Sequence, residues 1–309
     1  MKSMCVIRYL FMVLDSAFAG PASPACVPHQ PRTENQEQTP IHEQRITINL
    51  HMPIITLLSD WGLTDHYVAS VKGAILSRIP DAVIVDISHN IRLFDIKHAS
   101  FVMRNAWHSF PEGTIHIIGV DSIESDKHPH VIVKSEGHYF IGADTGLISL
   151  ILNDLPEKII SININQDSGY FTFPSRDRFV KVAALLAKGT KMEELGEPRT
   201  ALNPKALLQP DFDGKTIYGK VMHIDHYENI FVNITDQFVR ESLGKNPYHI
   251  VCKKEIIPLV KAYGDVREGN PCALFASNGF LQIAINRGRA SSLLGMVMDN
   301  DVYVVLGEA

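Results

Sequence analysis

Ile54-Ile55-Thr56-Leu57-Leu58-Ser59-Asp60-Trp61-Gly62-Leu63-Thr64-Asp65 is the stretch on which the reading of the fold turns. An apolar, largely β-branched run stops at a carboxylate and a glycine, and residues 68–76 then carry a helical pattern. In an α/β sheet, ligands bind beyond the carboxyl ends of the strands, so Asp60 is presented to a crevice. A carboxylate there can accept hydrogen bonds from two neighbouring hydroxyls, such as those of a ribose. The second reading is that Asp60 caps the following helix. On these residues alone both stand.

Outward from this unit, residues 82–87 form a second apolar strand running into Asp86, and 95–110 read as a helix. Residues 114–120 form a third strand that ends at Asp121. A hairpin-like pair, 130–134 and 139–143, turns about Glu136-Gly137. A short helix at 146–153, a strand at 158–164 and a helix at 177–188 follow. Alternation of this kind predicts an α/β domain over 52–198 with a mainly parallel sheet covered on both faces. Residues 199–214, with Pro204 and Pro210, read as a linker. From 215 to 309 strands dominate, apart from short helices at 235–243 and 289–294, which predicts a C-terminal all-β barrel domain.

Composition bounds the function. With 45% hydrophobic and 20% charged residues and a formal net charge of -5, the chain has a globular make-up and no basic footprint for nucleic acid. No apolar run is long enough to span a bilayer. Residues 1–51 differ from the rest. Met1 to Ala19 has a weakly signal-like pattern broken by Arg8 and Asp15, and 20–45 are rich in Pro, Gln, Glu and Thr, so an unstructured leader is expected. Of Cys5, Cys26, Cys252 and Cys272, only the last two fall in the folded part and none has metal spacing. A cytoplasmic protein is expected, with export as the minor alternative. Fourteen histidines include no HExxH, and His128-Pro129-His130 reads as a solvated loop, so no metal is expected.

Three strand ends carry acids: Asp60, Asp86 and Asp121. Thr172-Phe173-Pro174-Ser175-Arg176-Asp177 opens a helix, where Ser175 reads first as its cap and second as a hydroxyl turned into the crevice. Further on, Asp225, Tyr227 and Asn229 alternate, and line one pocket if the segment is extended; a plain hairpin turn is the other reading. Ser277-Asn278-Gly279 is a turn before another strand, with a polar tip.

Taken in order, these segments resemble the S-adenosyl-L-methionine hydrolases, also called SAM hydroxide adenosyltransferases, relatives of the fluorinase and chlorinase. The likeness rests on Ser59-Asp60-Trp61-Gly62, Tyr67-Val68, Lys72-Gly73, Val85-Asp86-Ile87-Ser88-His89 and Phe94-Asp95-Ile96. It continues through Phe110-Pro111-Glu112-Gly113-Thr114, Gly142-Ala143-Asp144-Thr145-Gly146-Leu147 and Thr172 to Asp177. It closes on Ile224-Asp225-His226-Tyr227-Glu228-Asn229 and Ser277-Asn278-Gly279-Phe280-Leu281.

The resemblance implies hydrolysis of S-adenosyl-L-methionine (SAM) to adenosine and methionine, without a cofactor. It implies a homotrimer whose sites lie between one subunit's N-terminal domain and its neighbour's C-terminal domain. It assigns Asp60 to the ribose hydroxyls, Phe94 to the sugar and sulfonium, Tyr227 to the adenine face and Asn229 to its edge. Asp225 and the segment at Ser277 and Asn278 would hold the methionine ammonium and carboxylate. Family hydrolases hold their water with an Asp, an Arg and a His. Here Asp121 keeps the first position, His128 with Lys127 beside it stands at the second, and Pro174 stands at the third. Asp121 with His128 or Lys127 is therefore the expected catalytic set. A protein that binds SAM or adenosine without rapid turnover is the rival. Ser175 aligns with the halide-contacting serine of the halogenating relatives, but their long insertion is missing after Asp121, which disfavours a halogenase.

Overall fold

The computed structural model describes residues 52–307, so the expectation for the leader lies outside the described residues. The first half is a seven-stranded sheet built from β1 (Ile54–Ser59), β2 (Val83–Ser88), β3 (Ile115–Gly119), β4 (His130–Ser135), β5 (His138–Ala143), β6 (Lys158–Ile162) and β7 (Gly196–Pro198). Their order across the sheet is β2-β1-β3-β5-β4-β6-β7. Helices α1 (Tyr67–Arg78), α2 (Ile96–Arg104), α3 (Leu147–Ile151) and α4 (Val180–Ala187) connect and cover them.

The sheet is mixed, which corrects the mainly parallel expectation. β2, β1, β3 and β5 pair in parallel, whereas β5–β4, β4–β6 and β6–β7 are antiparallel. The cause is local. Glu136 and Gly137 both take positive φ (47° and 76°), and a turn of that kind returns the chain directly alongside itself. It therefore inverts β4 within the sheet. Ile55, Leu57, Ile75, Ile117, Ile141 and Phe179 form one core face, and Leu58, Met103, Trp107, Phe140 and Ile148 form the other.

The second half runs β8 (Asp211–Phe212), β9 (Thr216–Ile224), β10 (Ile230–Thr235), α5 (Asp236–Leu243), β11 (Tyr248–Cys252), β12 (Glu255–Ile257), β13 (Pro271–Phe275), β14 (Phe280–Ile285), α6 (Ala290–Leu294) and β15 (Asp301–Leu306). The strands make one antiparallel, barrel-like sheet in the order β12-β11-β15-β9-β10-β14-β13, with β8 pairing on β9 from inside the stretch read as a linker. A bridge from Leu259 to Ala273 nearly closes it, around Ile217, Val221, Val232, Ile250, Leu281, Ile283 and Val304. The two halves meet where Phe101 of α2 stacks on His223 of β9, ring centroids 4.0 Å apart, and packs edgewise on Phe231 of β10. No helix among the described residues is long and apolar enough to cross a membrane.

Candidate active site

β1 and β3 are neighbours, with Ser59 opposite Gly119, so Asp60 and Asp121 emerge side by side at their carboxyl ends. Asp60 does not cap α1. Residue His66 holds that position, and no side chain caps the helix. Instead Asp60 Oδ2 accepts from the Phe94 backbone N–H at 2.8 Å. Burial raises the Asp60 pKa; the Phe94 N–H opposes that, and the charge of Asp121 adds to it. A partly desolvated carboxylate of this kind gains most from ligand groups that donate hydrogen bonds. Phe94 and Asp121 both occupy the left-handed region (φ 59° and 45°), a strain of about 1–3 kcal/mol per non-glycine residue. Asp95 next to Phe94 caps α2, accepting from His98 N at 2.9 Å. The Phe94 side chain is 70% exposed.

The turn bearing Asp60 is wired to its neighbours. Ser59 Oγ lies 2.7 Å from His89 Nδ1, and His89 Nε2 lies 3.1 Å from Asp86 Oδ1. Asp86 Oδ2 accepts from Lys72 at 2.6 Å, and the His89 carbonyl accepts from Gly62 N at 2.8 Å. Asp86 is thus committed to bracing. Burial pulls its pKa upward, but Lys72 and His89 outweigh that and hold the carboxyl below its usual range. The Trp61 ring stacks on His89 (6.1 Å, 16°) and meets Phe173 edge-on (5.4 Å, 82°), and Phe173 in turn meets Tyr67. Trp61 also lies flat on Gly119, where an added Cβ would come within 2.2 Å of its ring, so this approach requires glycine.

Ser175 opens a π-helical turn, Ser175–Phe179, and caps nothing. Its side chain is buried, and its Oγ lies 3.5 Å from Ser122 Oγ, so it faces the Asp121–Ser122 loop. Behind that loop stand Glu124 and Arg178, which the sequence reading missed, and His130, which was read as part of a solvated loop and is instead buried at the start of β4. The buried His130 ring places Nε2 2.9 Å from the Ser122 carbonyl, and Arg178 Nη1 donates to Glu124 Oε2 at 2.6 Å while lying 3.0 Å from His130 Nδ1. Lys127 and His128 go elsewhere. They belong to a turn in which His128 N donates to the Ser125 carbonyl, and the Lys127 carbonyl accepts from Asn203 Nδ2 at 2.7 Å. His128 acts electrostatically on buried Asp144, which pairs with Arg199. No hydrogen bond or ion pair joins Asp121 to Lys127 or His128 among the described residues.

In the second half, the segment at Asp225 is a turn and not extended. Glu228 has φ 64°, and Asp225 takes both Asn229 N (2.8 Å) and Asn229 Nδ2 (3.0 Å) on its carboxylate. That corrects the shared-face reading: hydrogen bonds across the turn outweigh alternation. The Tyr227 ring projects from it, 74% exposed. Ser277 and Asn278 lie in a turn at the far end of β10, beside Thr235, where Asn278 Oδ1 accepts from Phe280 N. No hydrogen bond, ion pair or aromatic contact links Asp60, Phe94, Asp121 or Ser175 to Asp225, Tyr227, Asn229, Ser277 or Asn278 among the described residues. Also among them, no group of His, Cys, Asp or Glu is arranged to hold a metal, and Cys252 and Cys272 are buried free thiols.

An α/β crevice with two adjacent carboxylates and the exposed Phe94 next to one of them in the hydrogen-bond pattern, followed by a barrel-like sheet that offers an exposed tyrosine, suits a small, hydroxylated and cationic molecule. The chain belongs to the SAM hydroxide adenosyltransferase family: residues 55–196 match its N-terminal domain and 219–303 its C-terminal domain. It is 30% identical over 271 residues to an (R)-S-adenosyl-L-methionine hydrolase of Methanocaldococcus jannaschii, covering 82% of this chain and 96% of the relative. A fluorinase of Nocardia brasiliensis is 26% identical over 287 residues, covering 78% and 92%. Among solved structures, an uncharacterized conserved protein from Thermotoga maritima superposes with a TM-score of 0.73 at 28% identity, covering 82% of this chain and 99% of that one.

Proposed function

We propose that the protein hydrolyses SAM to adenosine and methionine by attack of water at the ribose C5′. The observation that carries this reading is the Asp60–Phe94–Asp121 arrangement: a carboxylate with a free oxygen for the ribose diol, an aromatic ring for the sulfonium, and a second carboxylate alongside for the water. The water oxygen gives a lone pair to C5′, and the C5′–S bond breaks with its electrons passing to sulfur. The released proton goes to Asp121. Sulfonium is already a good leaving group, so the protein's part is alignment, and no cofactor is required.

The lack of contact between Asp60 or Phe94 and Tyr227 or Asn229 among the described residues supports sites shared between chains, as in a homotrimer, in which Tyr227 of one chain stacks on adenine while Asp60 of the next holds the ribose. Asn229 Nδ2 is taken up by Asp225, leaving Asn229 Oδ1 to accept from the adenine amino group. Because the turns at Asn229 and Ser277 sit at opposite ends of β10, an extended nucleoside–amino acid would lie along that strand, its amino-acid end near Ser277 and Asn278.

Incubation with SAM and chromatography tests this reading, with adenosine and methionine the expected products. Binding without products would favour the non-hydrolysing rival, which the placement of Lys127, His128 and Pro174 keeps in view. A halide-dependent nucleoside product would favour displacement by halide.

A further inference from the structure

We propose that Arg178, His130 and Glu124 form a positioning unit that holds Asp121 and Ser122 for the attacking water, in place of the side chains missing at 128 and 174. This inference rests on the hydrolase reading above.

The direction of the hydrogen bonds can be derived. A guanidinium only donates, so His130 Nδ1, 3.0 Å from Arg178 Nη1, must accept. Nε2 therefore carries the hydrogen and donates to the Ser122 carbonyl at 2.9 Å. Burial lowers the His130 pKa and the Arg178 charge lowers it further, against the pull of the Ser122 carbonyl and Glu124, which agrees with a neutral ring. Glu124 completes the chain by accepting from Arg178 at 2.6 Å. The result is a one-way relay, from Arg178 to both Glu124 and His130, and from His130 to the Ser122 carbonyl, one residue beyond Asp121.

The Asp121–Ser122 loop needs holding. Asp121 has φ 45°, a conformation that persists only where its surroundings over-determine it. The His130 ring is fixed in turn by the Phe179 edge at 4.7 Å, and its side chain has no exposed surface. Arg178 is nine-tenths buried, and its Nε has no partner among the described residues, so burying this residue is costly unless its fork is used. Ser175 and Arg178 leave the same π-helical turn, one towards Ser122 Oγ and the other towards His130, so a single turn fixes both sides of the loop. None of the three residues touches the Asp60–Phe94 pocket among the described residues, so they act on the reacting water through Asp121 and not on the nucleoside.

The test measures SAM hydrolysis by the wild type, Arg178→Met, His130→Ala, His130→Gln, Asp121→Ala and the double variant Asp121→Ala/Arg178→Met. A misplaced carboxylate should cost about ten- to a hundredfold in kcat, with KM changed less than about threefold. His130→Gln, which keeps a donor near the Nε2 position, should recover most of the rate lost in His130→Ala. Arg178→Met should add no further loss in the Asp121→Ala background. Should Arg178→Met not fold, Glu124→Gln at the exposed end of the relay substitutes for it, with a smaller loss of kcat expected. An active wild type with Arg178→Met or its substitute within twofold, or with losses that simply multiply, overturns the positioning unit alone. A wild type without turnover overturns the hydrolase reading and this inference together, and its own rate tells the two failures apart.

Discussion

The two halves of the proposed site are built in opposite ways. Around Asp60 the polar groups are cross-linked, with Ser59 and His89 buried: Ser59 to His89 to Asp86 to Lys72, Phe94 N to Asp60, and Trp61 pressed on Gly119. Around Tyr227 a single exposed turn closes on itself through Asp225 and Asn229. The first half is organised before any ligand arrives. The second presents a ring and an amide acceptor that make no hydrogen bond, ion pair or aromatic contact with the first among the described residues. On the proposed reading, binding strength is concentrated in the first half, and recognition of the base falls to a surface completed by a partner chain.

The largest effect expected from this contrast is at Asp60. Asp60→Ala removes a charged acceptor for two hydroxyls, at about 1.5–3 kcal/mol for each hydrogen bond to a charged group. Calorimetry should show adenosine affinity falling by at least about a hundredfold, with 1.4 kcal/mol per factor of ten. An affinity within fivefold of wild type would remove Asp60 from the ribose site.

Gly119→Ala comes next and strikes the buried half only. The new methyl group would displace the Trp61 ring, with a stability loss of about 1–3 kcal/mol typical of overpacking. A lower urea midpoint should accompany a shift in tryptophan emission, and an unchanged spectrum would contradict the close approach. Tyr227→Ala, on the exposed half, should leave the urea midpoint alone and raise KM for SAM by roughly tenfold, as base–aromatic stacking is worth about 1–3 kcal/mol.

The smallest effect is a pH dependence. The raised Asp60 pKa means that the folded protein takes up a proton on Asp60 at a higher pH than an ordinary carboxylate does. Hydroxyl donors bind the ionised form, so adenosine affinity should rise with pH through that titration and fall below it. Loss of affinity should begin above the usual carboxylate range, and Asp60→Asn should flatten the profile.

Much of this was legible in the residues. The β1 run and the carboxylates after β1 and β3 announced strand ends and a crevice, and the sparse helix after residue 215 announced the barrel-like sheet. What the linear pattern did not reveal depends on long-range pairing. The hairpin at Glu136-Gly137 was legible, but the antiparallel addition of β6 and β7 beyond the inverted β4 was not. Ser175 resembled a helix cap because Ser before a helix commonly is one, yet the π turn points its hydroxyl inward. Ser122, Glu124, His130 and Arg178 carry no motif, since their meeting is set by the distance between a loop and a helix start. Asp225 and Asn229 were recognised, but strand alternation was the wrong guide where a side chain closes its own turn.

Sharing of the site between chains is most directly tested by complementation. Asp60→Ala, which lacks the first half-site, and Tyr227→Arg, which sets a cation against a cationic ligand in the second, are co-expressed with different tags and purified through both. Neither variant alone should hydrolyse SAM appreciably, while the mixed oligomers should recover a substantial fraction of the wild-type rate, because some interfaces then pair two intact halves. Mixed oligomers no more active than the separate variants would contradict the account.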